Sequence, residues 1–365
     1  MGDSYEAAGV NYEVLDAAKR AAIEAAVATG PLLATHGAAA LEASRGEPAF
    51  VFQMEGRYFA FVLECLGTKS IVARRFLEDS GEDRFAEVAY DTVAAIVNDL
   101  CCPGALPLVV NAYFATGSDA FFADGDRLSS LVAGWKRACE DAGATWGGGE
   151  SPTLSGLVGE RDVELAGSAV GYVPDGRVPL LGGELGAGDE IVLVASSGLH
   201  ANGASLVRAI ADRLPDGLLT PLDERRSFGD AALDASVIYA PLVKGLYDAA
   251  IQPTYMTHIT GHGLRKLMRP ARDLTYRLER LAEVPPVLEF IASRAGMDDR
   301  EAYGTLNMGA GFAVYCRAGE GDAVCRVAER VGMDALVAGV VEEGPRRVVL
   351  EPVDVTYDAA DLSLR

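Results

Sequence analysis

The sequence predicts a two-domain α/β (α+β) protein, and three observations carry that prediction. The chain is 365 residues long, beyond the size at which one hydrophobic core stops growing, so two cores are expected. Apolar runs of strand length alternate with segments of helical periodicity from one end to the other, the pattern of mixed α/β architectures. A Pro174-Asp175-Gly176 cluster, with Gly182-Gly183 just beyond it, interrupts this pattern, which then restarts. Linkers of that composition are where domains divide, so the expected halves are residues 1–175 and 176–365.

Each element follows in order. Residues 12–28 are rich in Ala, Glu and Lys with apolar side chains at helical spacing, ended by Gly30-Pro31. Two short apolar runs, 49–54 and 58–63, flank Glu55-Gly56 and read as a hairpin. Residues 84–100 read as a helix with Phe85, Val88, Thr92, Ile96 and Asp99 along one side, stopped by Pro103-Gly104. Leu106 to Phe114 is a buried strand, Leu128 to Ala142 a helix, Gly147-Gly148-Gly149 a glycine loop, and Val163 to Val173 a strand. The second half opens on a strand at Glu190–Ala195, a loop at Ser196–Gly203 and a helix at Ala204–Leu214. Thr254 to Ile259 leads into Thr260-Gly261-His262-Gly263, and Asn307-Met308-Gly309-Ala310-Gly311 into an apolar run ending at Cys316. A helix at 322–331 and β-like segments at 335–341 and 346–351 complete the series.

Charge and cysteine content bound the function. The net charge is −21, and so acidic a surface repels phosphate backbones, which argues against a nucleic-acid partner. It leaves room for a nucleotide held locally by backbone amides and a metal. Only five lysines occur, Lys19, Lys69, Lys136, Lys244 and Lys266. None of the six cysteines forms a C-x-x-C pair, and a chain of this size has no need of disulfide staples. Met-Gly-Asp-Ser-Tyr-Glu opens the chain without the apolar segment of a secretory signal, and no uncharged apolar stretch approaches the ~20 residues that span a bilayer. The expectation is a soluble, cytoplasmic protein with reduced thiols and no membrane partner.

The glycine-rich loops are the candidate chemistry, because glycine lets the backbone approach phosphate oxygens and present N–H donors, and a following helix adds partial positive charge. The common signatures are missing: G-x-x-x-x-G-K-[ST], a helix-opening G-x-G-x-x-G and a G-x-S-x-G elbow are all absent.

Taken in order, however, the loops resemble one family. Ser4-Tyr5-Glu6-Ala7-Ala8-Gly9-Val10, Gly67-Thr68-Lys69, Val97-Asn98-Asp99-Leu100, Tyr113-Phe114-Ala115-Thr116-Gly117 and Gly148-Gly149-Glu150 follow one another in the first half. Ser196-Ser197-Gly198-Leu199-His200-Ala201-Asn202-Gly203, running on to Ser205-Leu206-Val207-Arg208, is the closest match, followed by His258-Ile259-Thr260-Gly261 and Asn307-Met308-Gly309. These are similar to the motifs of phosphoribosylformylglycinamidine cyclo-ligase, or aminoimidazole ribonucleotide synthetase, over about residues 4 to 350. The resemblance implies two α/β halves per subunit, with N-terminal strands of two subunits forming a barrel in a homodimer and a C-terminal α/β domain. It also implies ATP and Mg2+ as cofactors and a small phosphorylated substrate. In the family reaction ATP activates a formamide oxygen and the substrate's amine closes the imidazole ring, chemistry that asks for positioning and charge neutralisation.

Site roles follow from that resemblance. Asp99, Glu150 and Glu64 are the expected magnesium ligands, Asp99 otherwise reading as a polar helix end and Glu150 as a turn acid. Lys69 is expected to contact phosphate, with a solvated loop lysine as the alternative. His200 and Asn202 are expected catalytic or substrate contacts, His200 otherwise being a structural histidine. Gly67, Thr68, Lys69, Asn98, Gly148, Gly149, Thr260 and Gly261 are expected to line the nucleotide site. Asn307 and His258 stand between ligand contact and local capping. The departures are Glu64 and Cys65 where the family has Asp and Gly, Ser151-Pro152-Thr153-Leu154-Ser155 where it has a second acid, and a glycine-poor Thr35-His36-Gly37-Ala38-Ala39-Ala40. The leading expectation is therefore ATP-dependent cyclisation of formylglycinamidine ribonucleotide in purine biosynthesis. The alternatives are a paralogue using ATP on another small substrate and a non-catalytic nucleotide-binding protein.

Overall fold

The computed structural model describes residues 22–362. The Ser4–Val10 motif and the first part of the expected 12–28 helix lie outside the described residues; 22–29 are helical. A six-stranded sheet has the order β1-β2-β3-β6-β4-β5, built from Ala38–Ala40, Phe50–Met54, Arg57–Cys65, Leu106–Thr116 (β4), Thr145–Glu150 (β5) and Val163–Val173 (β6). A seven-stranded sheet has the order β13-β12-β9-β11-β7-β10-β8 and uses Glu190–Ala195 (β7), Tyr255–His258 (β8), Leu274–Leu278 (β9), Ala310–Cys316 (β10), Ala335–Glu343 (β11), Arg347–Leu350 (β12) and Val355–Asp358 (β13). The two sheets share no strand.

The β2–β3 hairpin turns at Glu55 and Gly56, whose φ angles are 51° and 78°; two consecutive positive φ values give the turn whose twist matches paired strands. Helices Phe85–Cys101 and Gly125–Ala142 cover one face of the first sheet. Gly134 sits where a Cβ would be 2.0 Å from the Ala86 carbonyl oxygen, so glycine is what lets the two helices close on each other. Every second residue of β6 faces them, and the added Cβ of Gly167 would meet Ile96 and Trp135. Among the described residues no helix covers the opposite face. It presents Phe50, Phe52, Phe59, Phe61, Leu63 and Val170 on adjacent strands, with Leu63 at 69% exposure.

Three local expectations change. Gly147-Gly148-Gly149 is not a loop but part of edge strand β5, parallel to β4. A Cβ on Gly149 would be 2.1 Å from the Ala112 carbonyl oxygen, so these glycines permit a close strand approach, a use of glycine that leaves no β-propensity signal. The Thr35–Ala40 segment is the end of a 3-10 helix, Gly30–His36, running into β1. The helix expected to reach Leu214 ends at Ala211.

Candidate functional site

The site lies where the end of β3 and the Phe85–Cys101 helix meet the loops of the second sheet. Residues seven apart on a helix share a face, and Asp91 and Asn98 form such a buried pair aimed at the second half. Asp91 Oδ1 accepts from the Ser236 N–H and hydroxyl, both at 2.7 Å. The Asn98 amide donates to Val237 O and accepts from Tyr239 N–H, both at 2.8 Å. Asn98, expected at the cofactor, thus fastens the 236–239 segment through one bond from each end of its buried amide.

Lys69, expected at phosphate, is likewise held within the protein. Its side chain is fully buried, ion-paired to Asp91, and donates to His200 O at 2.7 Å and Asp234 O at 3.4 Å. Its three donors are committed inside the protein, so it ties β3's exit to the second half. His200, 4% exposed, adopts φ 58° and accepts at Nε2 from Ser197 N–H at 3.2 Å and Val237 N–H at 3.4 Å. Burial, with the charges of His258 and Lys69, holds its pKa well below the usual imidazole value; because Nε2 accepts both bonds, the neutral ring carries its proton on Nδ1, which has no partner among the described residues. Asn307 is a turn-stabilising amide: it accepts from Ser196 Oγ and Gly309 N–H and donates to Gly198 O.

The remaining predicted residues line open space. Gly67 (φ 70°) and Thr68 enter the Lys69–Ser80 helix and border a groove of ≈ 340 Å³ with Tyr113, Leu154, Asp162 and Glu164. Arg74 neutralises Asp162 at 2.7 Å, and no lysine or arginine is among the lining residues. Burial raises the Glu164 carboxyl. Across the mouth, Thr68 Oγ1 meets Ser205 Oγ at 3.2 Å, which joins the groove to the Asn202 loop. Asn202 is half-buried and makes no side-chain hydrogen bond among the described residues; a Cβ on Gly261 would lie 3.3 Å from its Oδ1. Asn202, Thr260 and Gly261 therefore form one shelf.

Behind the shelf is a buried charged layer. Asp99 Oδ1 is 2.7 Å from His258 Nδ1. Burial opposes ionisation of Asp99, but the His258 hydrogen bond and the charges of His258, Lys266 and Arg269 outweigh it and lower its pKa. Glu64 faces Asp99 and is pushed up to about 7, mainly by burial and then by Asp99. Lys266 donates to Thr260 Oγ1. Burial pulls its pKa down and Asp99 works against that pull.

The expected metal triad is not assembled. Glu64 stands in register with Gly167, Ala112 and Gly149 across β3, β6, β4 and β5, which puts Glu150 three strands away, about 14 Å at usual strand spacing. Glu150 is exposed beside Tyr113, and Gly148 and Gly149 lie on the same outer strand. Among the described residues no group of three His, Cys, Asp or Glu is placed to hold an ion, so these acids do not fit a resident magnesium. Lys266 and Glu164 were missed in the sequence; the scarcity of lysine was the one available signal for Lys266.

The two-sheet fold is shared with known proteins. Residues 46–173 match the model for AIR synthase related protein, N-terminal domain, and 186–351 the corresponding C-terminal domain. The phosphoribosylformylglycinamidine cyclo-ligase of Alkaliphilus oremlandii is 31% identical over 274 residues, 73% of this chain and 78% of the relative. Among solved structures, one in the HypE–HypF complex has a TM-score of 0.61 at 16% identity, covering 86% of this chain and 93% of that one. AaThiL complexed with AMPPCP and TMP gives 0.57 at 16%, covering 86% and 90%. The chain belongs to the AIR synthase related family, and within it is similar to the cyclo-ligases. Among the described residues no helix is long and apolar enough to cross a membrane.

Proposed function

We propose that this chain is an enzyme that binds ATP and cyclises formylglycinamidine ribonucleotide to aminoimidazole ribonucleotide, in the cytoplasm, as a step of purine biosynthesis. The observation that carries the reading is the groove bordered by Gly67 and Thr68, whose Thr68 hydroxyl meets Ser205 beside the loop of Asn202 and Gly261, in a chain 31% identical to a cyclo-ligase. The residues flanking it supply positioning rather than covalent chemistry. Asn202, free of internal partners, offers a donor and an acceptor to a substrate amide or phosphate. The Gly67-Thr68 turn offers backbone N–H groups at a helix start to nucleotide oxygens. No lysine or arginine is among the described residues lining the groove, and magnesium accompanying the nucleotide would supply the counter-charge to its phosphates. His200 braces the Ser197 and Val237 backbones and stays neutral, holding the loop that presents Asn202.

The reading extends to assembly. The exposed apolar face of the first sheet matches that of a second copy, and the closure of two such sheets into a barrel would remove it from water. The two halves, 1–175 and 176–365, are then a dimerising, nucleotide-contacting domain and an α/β domain that completes the cleft. Phosphate release from MgATP by purified protein, with and without formylglycinamidine ribonucleotide, tests the activity. Release that depends on this substrate, with aminoimidazole ribonucleotide as product, supports the reading. ATP binding with no release refutes it. Glu64, Cys65 and Ser151–Ser155 favour, as the second reading, an ATP-dependent paralogue acting on another small substrate. Thermal stabilisation by a different phosphorylated metabolite would select that reading.

A further inference from the structure

Along the junction of the Lys69–Ser80 helix with the second half, Lys69 is paired to Asp91, Arg74 to Asp162 and Arg75 to Asp212. Arg208 is the exception. It is half-buried, its Nε is closed off from water, and among the described residues it makes no hydrogen bond or ion pair. A buried donor without an acceptor calls for a reason. Arg208 belongs to the Ala204–Ala211 helix, directly after the loop of His200 and Asn202, and its place is set from both sides. Ser205 Oγ lies 3.2 Å from Thr68 Oγ1, and Arg75 Nη2 donates to Asp212 Oδ1 at 2.7 Å. These contacts are seven residues apart on each helix, so Arg208, three residues after Ser205 and four before Asp212, stands in the row between them. Helical side chains lean toward the helix N-terminus, which turns Arg208 toward Thr68, Ser205 and Asn202. Asp212 is the acid that would ordinarily pair with an arginine one turn earlier, but Arg75 holds it.

We propose that Arg208 is an anion anchor beside the groove and binds the phosphomonoester of the small-molecule substrate, a role that rests on the reading of this site as one for a phosphorylated substrate. A guanidinium presents parallel N–H donors that match the oxygens of a phosphate. Neither lysine nor arginine is among the residues lining the groove, so the fixed positive charge stands next to it rather than in it. The nucleotide's phosphates arrive with magnesium, whereas a phosphomonoester needs a cation from the protein. Arg75 is then a positioning residue: by engaging Asp212 it leaves Arg208 with a charge to offer.

The test is isothermal titration of the full chain with ribose 5-phosphate, with ribose, and with AMPPCP and magnesium. Wild type is expected to bind ribose 5-phosphate in preference to ribose. Arg208→Met is expected to weaken ribose 5-phosphate about tenfold or more and to leave AMPPCP unchanged, with Arg208→Lys recovering part of the loss. Arg75→Met frees Asp212 to pair with Arg208 and is expected to weaken ribose 5-phosphate in turn, while Arg75→Met/Asp212→Asn restores it. Wild type that binds ribose 5-phosphate no better than ribose overturns the proposal, as does a folded Arg208→Met of wild-type affinity. A loss that falls on AMPPCP instead assigns the arginine to the nucleotide and also overturns it. Should Arg208→Met fail to fold, equal affinities of Arg75→Met and Arg75→Met/Asp212→Asn for ribose 5-phosphate overturn it. If no phosphate is released from MgATP while ribose 5-phosphate binding still depends on Arg208, the cyclo-ligase reading fails and the anchor stands.

Discussion

Replacing Lys69 by methionine separates a structural lysine from a phosphate-binding one. Lys69 and Asp91 are both fully buried and paired, so Lys69→Met leaves an uncompensated carboxylate inside the protein. Breaking a buried pair from one side costs about 3–5 kcal/mol. Asp91 keeps its two bonds from Ser236, at 2.7 Å each, which places the cost near the lower end. The His200 carbonyl loses its 2.7 Å donor, adding about 1 kcal/mol for an orphaned acceptor. The expected loss is about 3–4 kcal/mol, or about 6–8 °C in melting temperature at about 2 °C per kcal/mol for a chain of this size. Urea unfolding followed by circular dichroism, with a thermal scan beside it, measures it. Lys69→Met/Asp91→Asn removes both charges while the amide oxygen still accepts from Ser236, so it is expected to recover about 2 kcal/mol. If Lys69→Met melts within about 1 °C of wild type while nucleotide affinity collapses, the lysine reaches the ligand and the structural assignment is wrong.

Further outcomes follow from other parts of the structure. Glu64 titrates at about 7 rather than 4.5, so the folded state holds the proton more tightly; its contribution is complete below pH 4.5 and is lost as pH rises through 7. At about 1.4 kcal/mol per pH unit the effect is at most about 3 kcal/mol, and Glu64→Gln should flatten the stability profile over that window. An unchanged slope in the variant would assign the effect to another group. Gly311→Ala would place a Cβ 2.0 Å from Tyr239 Oη and 2.8 Å from His200 Cε1; a loss of about 1–3 kcal/mol is expected, and wild-type stability in denaturant would contradict it. Leu63→Lys charges the open sheet face, where Leu63 is 69% exposed. Light scattering should show the dimer proposed for wild type dissociating, and an unchanged mass would place the contact elsewhere.

What could be read in the sequence was local. Glu55-Gly56 between alternating apolar runs announced its hairpin, and the spacing of Phe85, Val88, Thr92 and Ile96 its helix, because each signal lies within one element. The Gly147–Gly149 strand was misread because glycine reports permissiveness, and only the neighbouring Ala112 carbonyl reveals what is being permitted. At the site, Asn202, Thr260 and Gly261 do come together, as do Glu64 and Asp99. Glu150 does not join them, since strand order, invisible in the sequence, interposes β6 and β4. Gly67-Thr68-Lys69, expected to act together at the nucleotide, divides in the structure: the first two residues line the groove, while the third turns inward to an acid 22 residues away.

The inward turn of Lys69 explains why the polar residues of the Phe85–Cys101 helix serve the site without touching ligand. An apolar stripe alone would let this helix slide against the second half, because dispersion contacts are tolerant of register. Asp91 and Asn98, two turns apart, instead fix four backbone and hydroxyl partners between Ser236 and Tyr239, and a buried network of this kind is costly unless every member is satisfied. Only one relative position of the halves satisfies all of them. That position sets Val237 against His200, His200 against Ser197, and so the loop that carries Asn202. The energy stored in these bonds therefore acts as alignment of the loops around Asn202, and the sequence reading assigned Asn98 to ligand, and left Asp91 unremarked, because a buried brace and a ligand contact demand the same side chains.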